Sequence, residues 1–126
     1  MAYEQILSCI TLEAGQDLSA KQYFFVTQAV GDGQADPTGD GLLANGVLQN
    51  APSAAGQAAT VAIGGVTRVS TGDVVARGAL LASDANGEAV TAGVGDYCLA
   101  KALEASTVAH QIIAAQLMIT PSKVTA

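Results

Sequence analysis

Val69-Ser-Thr-Gly72-Asp73-Val-Val-Ala-Arg-Gly78-Ala-Leu-Leu-Ala-Ser83-Asp84-Ala-Asn-Gly87-Glu-Ala-Val90 sets three glycine-centred turns between short apolar runs. Glycine at such points supplies a tight reversal or a positive φ. The runs between the turns are aliphatic and β-branched and have strand length. The stretch therefore predicts short strands joined by hairpins, and it carries little that is chemically reactive.

The same grammar extends outward. Lys21-Gln-Tyr23-Phe24-Phe25-Val26-Thr27 reads as a strand, because aromatic and β-branched residues fit a pleated surface. Leu42 to Gln49 carries Asn45-Gly46 between apolar residues, a hairpin signal. Ala58 to Ile63 alternates as a half-buried strand closed by Gly64-Gly65, and Val66 to Val69 is a second short strand. Gly31 to Gly41, dense in turn formers, reads as a long flexible loop. Residues 1–12 read as an N-terminal arm or edge strand, their apolar residues fitting helix and strand spacing alike. Tyr97 to Ala109 contains good helix formers. Its flanks, Gly95-Asp96 and Gln111 to Ile119, nevertheless favour a hairpin of two strands, so Ala100–Ala109 is expected as strand. The fold expected is all-β: a small single-domain barrel or sandwich of short strands joined by Gly-rich hairpins, with an extended N-terminal arm. The arm is 1–14, and the domain is 15–126 with a flexible loop at 31–41.

Composition narrows the function classes. The 126 residues are 50% hydrophobic but only 4% aromatic, so the core is built from small aliphatic pieces. Charged residues make up 13%, against roughly 25% in an average soluble domain. So few charges point to surface buried against partners. The net charge is −6, and Lys21, Arg68, Arg77, Lys101 and Lys123 are scattered singly. Without a basic cluster there is no footprint for nucleic acid or for an anionic membrane. No run reaches the ~20 apolar residues of a membrane-spanning helix, and the first residues lack the pattern of a signal peptide. The chain reads as made in the cytoplasm and soluble.

Residue constellations give no catalytic centre and no cofactor. His110 is the sole histidine, and no nucleophile-elbow pattern surrounds a serine. A Cys9–His110 or Cys98–His110 pair is conceivable by residue type; a polar or interface histidine is the plainer reading. The two cysteines have no metal spacing and read as small core residues, with a disulfide as the alternative. Asp32, Asp36 and Asp40 recur every fourth residue, which does not match a calcium loop, and they read as a solvated acidic loop. No phosphate-binding glycine motif occurs. Val69-x-x-Gly72-Asp73-x-Val75-x-x-Gly78-x-x-Leu81 is similar to the hairpin of biotinyl and lipoyl carrier domains. The carrier lysine is missing from the following turn, and the nearest lysine is Lys101.

An ordered series of blocks resembles the capsid cement, or head decoration, proteins of tailed bacteriophages. The blocks are Asp17-Leu-Ser-Ala-Lys21-Gln-Tyr23-Phe-Phe-Val26, Gly46-Val-Leu-Gln-Asn50-x-Pro52, Gly56-Gln-Ala-Ala-Thr60-Val and Gly65-Val-Thr. The Gly72–Gly87 segment follows, then Ala102-Leu-Glu104-Ala and Ile112-Ile113. The resemblance implies a non-enzymatic virion protein on the outer surface of the expanded head, made in the host bacterial cytoplasm. Its partners would be the major capsid protein and further copies of itself, a trimer being favoured over a dimer. Tyr3, Ile6, Leu7 and Ile10 are the expected capsid or subunit contacts, since an apolar arm can add a strand to an exposed edge. The competing function is an adhesive or carbohydrate-binding module on the virion surface.

Overall fold

The computed structural model describes residues 4–28 and 31–125. Among them are nine strands and no helix: β1 Gln5–Ala14, β2 Phe25–Thr27, β3 Gln34–Pro37, β4 Gly46–Leu48, β5 Ala58–Ser70, β6 Leu80–Ser83, β7 Ala89–Thr91, β8 Ala100–Ala102 and β9 Ile112–Leu117. The hydrogen-bonded order is β1-β3-β2-β4-β5-β9-β8-β6-β7, and β1 pairs again with β5. That second pairing closes the first five strands into a small ring. Thr71, directly after β5, bridges Ala89 at the start of β7 and draws β5, β9, β8, β6 and β7 into a larger ring. β5 is the strand common to both. Pairing is antiparallel except between β1 and β3 and at the Thr71–Ala89 bridge.

Each ring has its own core. Ala14, Val26, Ala35, Leu48, Ala59 and Val61, one or more from each of the five strands, fill the small ring together with Leu18. The larger core gathers Val69, Leu81, Leu99, Ile113, Leu117 and a set of alanines, and it takes Phe25, Val47 and Ala62 from the outer face of the small ring. Side chains alternate across a strand. Hence the neighbouring pairs Val47–Ala62 and Leu48–Val61 serve opposite cores. Small side chains let two cores form back to back on a sheet this narrow.

Four local readings change. Gly64-Gly65 does not end a strand: β5 runs through it, and Gly65 (φ 90°) lies where the β1–β5 register shifts twice. Leu7 is the extra residue on β1 and Ile63 the extra residue on β5, so the glycines mark bulges. Asn45-Gly46 makes no hairpin. Gly46 opens β4, paired with Val26, where a Cβ would stand 2.1 Å from the Ala62 carbonyl oxygen. The expected loop at 31–41 contains β3, with Ala35 and Asp36 buried. Its turn formers flank the strand instead of filling the segment. The expected arm contains β1, whose residues Gln5 to Glu13 pair with β5. The hairpin readings hold at Ser83–Ala89, which joins β6 to β7, and in the pairing of β8 with β9. Only Ala100–Ala102 of the expected strand Ala100–Ala109 and only Phe25–Thr27 of Lys21–Thr27 are strand, however, the remainder being bends and turns.

Candidate functional site

The first β1 residues lie along one edge of β5, whose other edge is paired with β4 at Ala62 and with β9 at Val66. Ser8, Cys9, Ile10 and Thr11 are exposed in succession, so both faces of the strand meet solvent there. β3 joins β1 only at Glu13 and Ala14. Between Gln5 and Leu12 the other edge is therefore unpaired among the described residues. That edge has no charge, no proline and no glycine across Gln-Ile-Leu-Ser-Cys-Ile-Thr-Leu. Natural sheets usually protect such edges with one of those devices. Glu4 and Arg68 pair at 3.6 Å beside the start of β1, both partly solvated, so the pair adds little stability.

The expected contact residues separate here. Ile10 is 36% exposed and presents an apolar side chain beside the unpaired edge. Ile6 is half-buried and packs against the larger core. Leu7 is described only as a strand residue at the first bulge, and Tyr3 lies outside the described residues. Ile63, bulged out of β5 and 38% exposed, is the neighbour that sequence reasoning missed. Its signal was the Gly64-Gly65 pair directly after it. The reading of Cys9 as a core residue is also corrected, since it is exposed on β1.

The candidate reactive groups do not assemble. Cys9 sits opposite Ala62, and the Cys98 thiol faces the Ala100 carbonyl; both cysteines are free. His110 instead meets Glu88, its Nδ1 2.9 Å from Oε2. Ser70 Oγ donates to the same carboxylate oxygen at 2.8 Å. The Glu88 bond and charge, with a further contribution from Asp84, raise the His110 pKa above its ordinary value. Asp36 is buried and accepts from the Gln16 amide at 3.0 Å, so it does not belong to a solvated acidic loop. Among the described residues, no three His, Cys, Asp or Glu side chains gather as a metal site. Lys101 lies in β8 opposite Leu80 and Gln116, away from any hairpin turn. Tyr23 and Tyr97 pack against the larger core, Phe25 is buried, and Lys21 lies over the Phe24 ring. No aromatic side chain among the described residues is exposed as a sugar-stacking platform.

No family model matches the sequence, and no curated protein matches it. Among solved structures, the chain is similar to the head fiber gp8.5 N base of bacteriophage phi29, with a TM-score of 0.72 at 16% identity. The alignment covers 94% of this chain and 98% of that one. Nearly whole-length agreement at so low an identity establishes a common fold.

Proposed function

We propose that this chain is a structural protein of a tailed-phage virion, bound to the outer surface of the expanded head. The observation that carries the reading is the fold shared, end to end, with the base of a phage head fiber. The ordered cement-protein blocks and the low share of charged residues support it independently. In this reading the β1 edge adds to a strand of the major capsid protein, and backbone hydrogen bonds supply much of the affinity. Copies assembled around a local symmetry axis, as a trimer, each hold a different capsid subunit and so oppose the outward pressure of packaged DNA. Binding to the expanded lattice alone stabilises that lattice by mass action. The absence of an exposed aromatic among the described residues weighs against the carbohydrate-binding alternative.

The test mixes purified protein with undecorated expanded heads and sediments them. Saturable, stoichiometric co-sedimentation is expected, with an increased resistance of the heads to heat. Ile10→Lys places a charge at the proposed contact and is expected to weaken binding while leaving the isolated protein folded. Absence of co-sedimentation by the unaltered protein overturns the capsid reading; unchanged binding by I10K overturns the assignment of the β1 edge.

A further inference from the structure

The larger ring closes on a short seam around Thr71. Thr71 N donates to the Gln111 carbonyl at 2.9 Å, and the next amide, Gly72 N, donates to Ala89 at 2.8 Å. His110 N donates back to the Thr71 carbonyl at 2.6 Å. One residue thus joins the loop before β9 to the start of β7. Above this backbone layer lies the Ser70–Glu88–His110 cluster. The Glu88 side chain is 5% exposed, while that of His110 is 73% exposed. His110 also holds a φ of 65°, a left-handed conformation disfavoured for a side chain with a Cβ. A strained, solvent-facing residue that is bonded through both its backbone and its ring is being held in place by those bonds.

We propose that Glu88 and His110 form a proton-operated clasp on this seam. With a protonated imidazole the loop 103–111 is held firmly to β7, and with a neutral one the seam opens more often. The charges facing His110 are consistent in sign. Glu88 and Asp84 both come from the β6–β7 turn, Glu88 directly before β7. The groups that β5 and the following residue present at the seam, Ser70 and Thr71, are neutral, as are Thr107 and Gln111 on the histidine's own side. Glu88 has the Ser70 hydroxyl as its other side-chain donor. Deprotonating the imidazole leaves a buried carboxylate without an opposite charge, and an ion pair gives way to a weaker bond between a neutral donor and the carboxylate. Because the folded pKa lies above the unfolded one, the added stability is complete below the ordinary histidine value. It is lost as pH rises through the folded value. Acid tightens the seam and alkali loosens it.

Since the sequence has one histidine, nuclear magnetic resonance of the intact protein reads its titration without ambiguity. The expected midpoint lies above the free-histidine value of about 6.5 and falls back in Glu88→Gln. Amide exchange at Thr71 and His110, corrected for intrinsic rates, is expected to lose protection severalfold between mildly acid and mildly alkaline pH. His110→Gln, at an exposed site, keeps the fold and is expected to abolish that pH dependence even if E88Q does not fold. A His110 midpoint at the ordinary value overturns the proposal. So does seam protection with the same pH dependence in wild type and H110Q.

Discussion

Replacing Gly46 by alanine is expected to be more damaging than the same change at glycines whose backbone is unfavourable for any other residue. Gly46 does not have a positive φ, so nothing in its own dihedral angles forbids a side chain. The obstacle is the neighbouring strand. A Cβ here would lie 2.1 Å from the Ala62 carbonyl oxygen and 2.8 Å from Val61 Cγ1. The first distance is about 1.4 Å inside an ordinary contact of roughly 3.5 Å. A valine methyl can rotate, but a carbonyl in the middle of β5 cannot. β4 cannot retreat freely either, since Gly46 also pairs with Val26 on its other side. Relief requires prising β4 from β5 and disturbing the Val47–Ala62 and Leu48–Val61 pairs that feed both cores. Overpacking typically costs 1–3 kcal/mol, and with backbone as the obstacle the expected loss is about 3 kcal/mol. For a urea slope of about 2 kcal/mol/M, the unfolding midpoint falls by roughly 1.5 M. Gly56→Ala is the control. There φ is 88° and a Cβ meets nothing within 4 Å, so only the left-handed penalty of about 1–2 kcal/mol applies. A midpoint for G46A no lower than that for G56A, at equal slopes, would refute the close-approach argument.

Other perturbations test separate parts of the packing. Ser106→Ala removes the hydroxyl that accepts from Val75 N at 2.8 Å and leaves that buried amide unsatisfied. The expected loss is about 1–3 kcal/mol by urea titration. Phe25→Ala empties the largest fully buried side-chain position and is expected to cost about 3–5 kcal/mol. Scanning calorimetry across pH should show the melting temperature of wild type, relative to H110Q, rising as pH falls through the His110 titration. The folded-state pKa of that residue is raised, which fixes the sign.

Sequence carried the strand alphabet well and the strand boundaries poorly. The Asp84–Glu88 hairpin was legible because its chemistry is local. Asp84 Oδ1 accepts from the amides of Asn86 and Glu88, and the turn closes within five residues. Asn45-Gly46 and Gly64-Gly65 present the same letters for non-local reasons. One accommodates a carbonyl from β5, and the other absorbs two register shifts against β1. A local reading assigns both to turns because the partner strand lies outside its window. β3 was hidden for a related reason: Gln-Ala-Asp-Pro has no strand propensity, and it is held as a strand by pairing with β1 and β2. At the candidate edge, an apolar run at residues 6–12 was visible. Which of its side chains turn inward was not, because the bulge at Leu7 breaks the alternation. The Glu88–His110 pair spans 22 residues, and neither residue carries a local signal of the other.

The shared strand sets how the two rings respond to load. A chain of two independent modules would open one ring at a time, and the weaker one would exchange its amides first. Here β5 gives Ala59 and Val61 to the small core and Ala62 and Val69 to the large one, with no linker between the two halves. At Ala62 it is paired with Cys9 on one edge and Val47 on the other; at Val66 it is paired with Gln5 and Gln116. Detaching β5 from either ring therefore strips pairing and burial from the other. Slowly exchanging amides of β4, in the small ring, and β9, in the large ring, should accordingly open with one common free energy. G46A should lower both equally although it touches only the β4–β5 contact. Loss of protection confined to the small ring would show that β5 breaks at its glycine bulge. Gly64-Gly65 would then act as a hinge and the rings as separate units. Equal loss identifies β5 as the member through which a pull on the β1 edge reaches the seam at Thr71.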